Sequence, residues 1–166
     1  MKTIKLFLSD VDGVLTDASM YYTESGDELK KFNTHDGMGF TILRRAGIKT
    51  GFITSEKTQI VTRRAEKLKI DYLYQGTWNK LEAALEICHK EGITLEETSY
   101  IGDDINCIDL LRNVGLAACP MNALPRVKDI PNIIRLEKRG GDGAVRELVE
   151  LLLARNYIPT PDFLLG

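Results

Sequence analysis

Short runs of apolar residues alternate along the chain with longer stretches in which apolar residues recur every three or four positions. Residues 4–9 are apolar and give way to acidic residues, so they read as a buried strand entering a loop. Similar runs recur at 49–53, 71–74, 99–101, 115–118 and 132–136. Between them, 58–70 places Ile60, Val61, Ala65 and Leu68 on one helical face, and 79–91 does the same with Leu81, Ala84, Leu85 and Cys88. Asp36 is placed to cap a helix ending at Gly47. Residues 143–156 supply a last amphipathic helix through Val145, Leu148, Val149 and Leu152. Strands alternating with helices of this length predict a parallel sheet covered on both faces, a three-layer α/β fold.

Residues 20–32 break the alternation. Two strand-like arms flank Ser25-Gly26-Asp27, which predicts a β-hairpin within about 18–33. Two arms alone are marginal in water, so the hairpin should lean on the body of the domain or on a second subunit. The tail 157–166 carries Pro159 and Pro161 and cannot extend the last helix, so it frays or packs. Composition narrows the classes. With 166 residues, one domain spanning 1–166 is the prior. The 22 basic and 24 acidic residues are well mixed, which disfavours a nucleic-acid surface. No apolar run suits a membrane span, and 1–5 lack a signal-peptide pattern, so a cytoplasmic protein is expected. Cys88, Cys107 and Cys119 are odd in number and far apart, pointing to neither disulfides nor a zinc knuckle. Cys88 and Cys119 read as small core residues.

The chemistry sits where strands end. After the first strand comes Asp10-Val11-Asp12-Gly13, and residues two apart in extended chain face one side. A calcium loop is excluded because Gly13 stands fourth and Tyr21 twelfth, where glycine is wanted sixth and glutamate twelfth. Thr54 follows the next strand and opens a helix, offering a hydroxyl and free N–H groups to a phosphate. Lys80 begins a helix as a compact cation for phosphoryl oxygens. Gly102-Asp103-Asp104 adds hard oxygen ligands suited to Mg²⁺. The acid pairs bracket the hydroxyl and the lysine, an order unlike that of a receiver-type phosphoacceptor module.

That ordered set resembles the haloacid dehalogenase superfamily of phosphohydrolases over nearly the whole chain. The resemblance implies a Rossmann-like domain with Asp10 as nucleophile, Asp12 as general acid/base, and Thr54 and Lys80 as phosphoryl-binding residues. Mg²⁺ would be held around Asp10, Asp12 and Asp103. No inter-motif segment is long enough for a cap domain, so the open site must be closed from elsewhere. Within the superfamily the chain resembles a capless subgroup acting on phosphorylated 2-keto-3-deoxy sugar acids. The matching stretches are 10–17, 32–37 (with Thr34), 74–76, 102–104 and 137–143. This implies a homotetramer whose hairpins associate and whose active site a neighbouring subunit completes. Thr54-Ser55-Glu56 in the second motif, with Arg64 and Lys67 downstream, is more similar to the nine-carbon branch than to the octulosonate enzymes. On that resemblance Thr34, Glu56, Arg64 and Lys67 bind substrate, and the substrate is 2-keto-3-deoxy-nononate 9-phosphate. The alternatives are an octulosonate 8-phosphate phosphatase and a non-catalytic module of a sugar-nucleotide synthetase.

Arg64 also stands out unaided, because it interrupts the apolar stripe of its helix; a snorkelling stem is the competing reading. Cys107 stands where relatives often carry an acid. Asp17 and Asp36 are balanced between capping and site support. His35 is a candidate for the site mouth and His89 for an inert surface position. Tyr21-Tyr22 reads as interface packing. Gly140-Gly141-Asp142-Gly143 either opens the last helix or admits substrate closely.

Overall fold

The computed structural model describes residues 3–165. Its centre is strand β1 (Leu6–Ser9), which is buried throughout. Alternation along β1 sends Phe7 into one core and Leu6 and Leu8 into another, so both faces of the sheet must be covered. The other strands of this sheet are β4 (Lys49–Ile53), β5 (Tyr72–Tyr74), β6 (Thr98–Ile101), β7 (Leu116–Cys119) and β8 (Ile134–Arg135). All pairings are parallel and the order is β5-β4-β1-β6-β7-β8. The chain moves outward from β1 through β4 to β5, then returns to the other side of β1. That reversal opens a crevice at the carboxyl ends of β1, β4 and β6, where ligands of open α/β sheets bind.

One face carries residues of α1 (Thr34–Arg45), α2 (Gln59–Leu68) and α6 (Ala144–Ala154). Phe7, Phe40 and Phe52 pack edge to face there, with centroids 5.8 and 5.3 Å apart. The opposite face carries α3 (Lys80–Glu91), α4 (Ile108–Asn113) and α5 (Pro125–Lys128). The predicted three-layer fold is observed, and among the described residues there is no cap: α2 and β5 fill the second gap, the hairpin and α1 the first.

Two expectations change in detail, and the open choice for the tail is resolved. Asn33, not Asp36, caps α1, its side chain accepting from the His35 N–H. Asp36 is buried and accepts from the Arg146 N–H at 2.9 Å, so it serves the first turn of α6. Leu85 is exposed, while α3 buries Lys80, Ala83, Ala84, Ile87 and Cys88. Those positions form a helical stripe that starts at Lys80, so drawing this lysine inward rotates Leu85 out to solvent. The tail packs: Ile158 is in the core, and Arg45 stacks over Phe163 at 4.6 Å.

The hairpin consists of β2 (Tyr21–Tyr22) and β3 (Glu28–Leu29), antiparallel with Tyr21 opposite Leu29. Met20, Tyr21, Tyr22 and Leu29 are all exposed. Its base is tied to the body, as the Tyr21 hydroxyl donates to Asp17 at 2.5 Å. Asp17 therefore anchors the hairpin, and that hydrogen bond is the first cause holding its carboxyl below the usual range.

Candidate active site

The carboxyl ends of the central strands gather the predicted chemistry. Asp10 follows β1 and is buried; its Oδ1 accepts from the Val11 N–H at 2.7 Å. Its Oδ2 lies 2.6 Å from the Lys80 ammonium and accepts from the Cys107 thiol at 2.9 Å. Lys80 is the first residue of α3, where a cation opposes the helix dipole, and it is only 2% exposed. Such a placement is unfavourable on local grounds and is compensated by Asp10. Burial pulls the Lys80 pKa down, but Asp10 and Cys107 more than reverse this and leave it raised. Thr54 is buried at the end of β4, with its hydroxyl accepting from the Glu56 N–H at 3.3 Å.

Asp103 follows β6. Burial first, then the charges of Asp10 and Asp104, push its pKa up to about 7. Gly13, at φ +81°, faces this carboxylate so closely that a Cβ there would overlap Asp103 Oδ2. Asp10, Asp103 and Cys107 each bring a ligand-capable atom within 4.8 Å of the others. Crowded carboxylates in a half-buried setting fit a hard divalent cation, which relieves their repulsion. Cys107 enters differently. Burial and then Asp10 push its thiol up to about 12, so it stays protonated, donating to Asp10 and accepting from the Tyr100 hydroxyl at 3.2 Å. Asp104 caps the short turn Ile105–Cys107 by accepting from the Ile105 N–H.

Asp10, Thr54, Asp103 and Asp104 line a cleft of about 280 Å³ together with Asp12, Ala18, Met20, Ser55, Glu56 and Asn106, and Lys80 joins them through Asp10. A larger hollow of about 790 Å³ at the β7–β8 side contains none of the ordered acids, hydroxyl or lysine. The Asp10–Gly13 loop is buttressed by the loops that follow β7 and β8. The Asn122 amide donates to the Gly13 carbonyl, and its oxygen accepts from the Gly140 N–H at 2.6 Å. A Cβ on Gly140 would strike the Gly13 carbonyl, so the glycine-rich stretch supports the Asp10–Gly13 loop.

Of the expected site residues, Asp10, Asp12, Thr54, Glu56, Lys80 and Asp103 come together. Thr34, Arg64 and Lys67 do not line the cleft of their own chain. Thr34 and Lys67 are exposed. Arg64 donates to the Asn33 carbonyl at 3.0 Å and lies over the Phe32 ring, so in its own chain it braces the entry to α1. His35 is exposed and does not line the cleft, and His89 is exposed on α3. Lys30 was missed by sequence reasoning. Its ammonium reaches Asp12 Oδ1 at 2.6 Å and Glu56 Oε2 at 2.8 Å. Burial would lower its pKa, yet hydrogen bonds to Asp12 and Glu56 leave it raised. One of two adjacent lysines on a hairpin arm carries no sequence signal that it points inward.

A parallel sheet with two strand-end acid pairs, a buried hydroxyl and a buried lysine around one crevice defines a phosphoryl-handling α/β hydrolase site. Comparison with known proteins agrees. Residues 45–148 match the haloacid dehalogenase-like hydrolase family, and the chain belongs to it. It is 38% identical over 156 residues to the 3-deoxy-D-manno-octulosonate 8-phosphate phosphatase of Escherichia coli K12, covering 92% of this chain and 80% of that protein. The crystal structure of the Moraxella catarrhalis 3-deoxy-D-manno-octulosonate 8-phosphate phosphatase, with magnesium, phosphate and the sugar acid, is similar at a TM-score of 0.88. Identity is 37%, over 93% of this chain and 89% of that one. The cobalt-bound enzyme of Haemophilus influenzae matches at 0.87 and 32% identity, over 93% and 90% of the chains.

Proposed function

We propose that the protein is a Mg²⁺-dependent phosphomonoesterase of a phosphorylated 2-keto-3-deoxy sugar acid. The observation that carries this reading is the buried Asp10–Lys80 pair with half-buried Asp103 and buried Thr54 near it, at the open end of the sheet. Asp10 attacks phosphorus and takes the phosphoryl group as an aspartyl-phosphate, dividing one difficult hydrolysis into two steps. Asp12 protonates the departing sugar oxygen and then removes a proton from the attacking water. Lys80 and Thr54 hold the phosphoryl oxygens. Mg²⁺, held by Asp10 and Asp103 with Asp12 beside them, would neutralise repulsion between the nucleophile and the phosphate.

For the sugar acid itself, the relatives favour the eight-carbon 3-deoxy-manno-octulosonate 8-phosphate, because the named similar enzymes act on it. One feature of this chain favours the nine-carbon 9-phosphate instead: Glu56 puts a carboxylate at the cleft wall, where it can accept hydrogen bonds from additional hydroxyls. Phosphate release from both esters, with Mg²⁺ and with chelator, tests the reading. The expected result is Mg²⁺-dependent release, and kcat/KM selects the sugar. Absence of release from either ester overturns the proposal and favours a non-catalytic module.

We also propose a homotetramer in which a neighbouring subunit closes the cleft. The support is the exposed apolar hairpin beside an open site, together with Arg64 and Lys67 lying outside the cleft of their own chain.

A further inference from the structure

Asp12 is held unequally by its two oxygens. Oδ1 receives the Lys30 ammonium at 2.6 Å and the Thr16 hydroxyl at 3.3 Å. Oδ2 is buried and has no hydrogen-bond partner among the described residues. Lys30 itself has a side chain only 1% exposed, and its second partner is Glu56 at 2.8 Å. Placing an ammonium so deeply is costly unless carboxylates compensate it, and here two do. Both line the cleft, while Lys30 enters from the hairpin just after β3.

We infer that Lys30 is a positioning residue: by binding Oδ1 it fixes the Asp12 carboxyl group at the cleft wall, in the orientation from which it serves the reacting phosphoryl group. Proton transfer requires the Asp12 carboxyl group within hydrogen-bond reach of the sugar oxygen and later of water. In the first step the Asp10 oxygen bonds to phosphorus and the bond from phosphorus to the sugar oxygen breaks. The electron pair leaves with the sugar oxygen, which takes the proton from the Asp12 carboxyl group. In the second step water bonds to phosphorus and gives its proton to Asp12, and the Asp10–phosphorus bond breaks with its electron pair returning to Asp10. Lys30 exchanges no proton in either step. It also links Glu56 and the hairpin to the same carboxylate, so anything that moves the hairpin moves Asp12. The inference rests on the phosphomonoesterase reading but not on which sugar acid is bound.

The test uses the full chain with Mg²⁺, comparing wild type with Lys30→Met, Lys30→Gln and Lys30→Arg on p-nitrophenyl phosphate. Its phenolate leaves without a proton, so Asp10 can be phosphorylated with Asp12 misplaced, whereas hydrolysis of the aspartyl-phosphate still needs Asp12. Lys30→Met should show a rapid release of one p-nitrophenolate per active site followed by slow turnover. Its kcat should be about 10²-fold below wild type, the scale expected for misplacing a catalytic group by an ångström, with KM unchanged or lower. Lys30→Arg should restore part of kcat. If Lys30→Met melts below the assay temperature, Lys30→Gln against Lys30→Arg carries the same comparison. Wild-type kcat in the neutral variants, or a lower kcat without the rapid phase, overturns the inference. Because the probe is a generic aryl phosphate, failure of the sugar-acid assignment leaves this readout intact.

Discussion

Asp10 receives the Val11 N–H on one oxygen and both Lys80 and Cys107 on the other, so its orientation is fixed before any substrate arrives. Asp10→Asn keeps the shape but cannot form an acyl phosphate. Its kcat should fall by about 10⁴-fold or more while the chain stays folded, checked by phosphate release alongside circular dichroism. Substantial residual turnover would remove Asp10 as the nucleophile. Lys80→Met should also cost stability, since breaking a buried ion pair typically costs about 3–5 kcal/mol; chemical denaturation reads this directly. Glu56 has a different role. Its side chain is half exposed at the cleft wall, where it would bind substrate in the ground state and transition state alike. Glu56→Ala should therefore raise KM about tenfold for the preferred ester. That effect is separable from the kcat loss expected at Lys30.

At the level of elements, Asp36 joins α1 to α6. Its Oδ1 accepts from the Arg146 N–H, the Val145 and Gly143 N–H groups and Arg64 also favour its charge, and Oδ2 has no partner among the described residues. Burial outweighs all of these and pushes the carboxyl up from 3.8 to about 6. The folded chain then binds more protons than the unfolded chain between these values. Stability contributed by the protonated form is full below about pH 4 and is lost as pH rises through about 6. Asp36→Asn keeps an acceptor for Arg146 without the charge, so it should melt higher than wild type at pH 8, with the difference shrinking toward pH 4. A difference independent of pH would show that Asp36 is not titrating. This element also marks what sequence can convey. A helix before Gly47 was legible from that closing glycine, but the cap was not, because Asn33 and Asp36 are both competent capping residues and only the packing of α6 takes Asp36 away. Leu85 illustrates the same limit: periodicity alone admits two adjacent stripes, and the pull of Asp10 on Lys80 chooses between them.

Across the whole molecule, the alternation of strands and helices and the order of acid, hydroxyl, lysine and acid were legible, because each chemical residue lies in the loop or helix start that comes after a strand; the order of the strands in the sheet was not. Contacts between distant segments were not: Lys30 to Asp12 and Glu56, or Asn122 bridging Gly13 and Gly140, depend on folds of the chain that no local spacing encodes. Assembly is the largest such case. The paired hairpin strands have two residues each, too short to be stable alone, and they hold Tyr22 and Leu29 in water at 64% and 58% exposure. Lys30 follows this same hairpin into the catalytic cleft, so a neighbour that orders the hairpin would also order Asp12. Tyr22→Glu with Leu29→Glu places charge on the exposed apolar face of the hairpin. If hairpins associate, the double variant should shift the mass measured by light scattering from tetramer toward smaller species. Turnover should fall in parallel, partly restored at high protein concentration by mass action. A wild-type protein that is monomeric and fully active would overturn the tetramer proposal. Closure of the cleft would then have to come from the hairpin of the same chain.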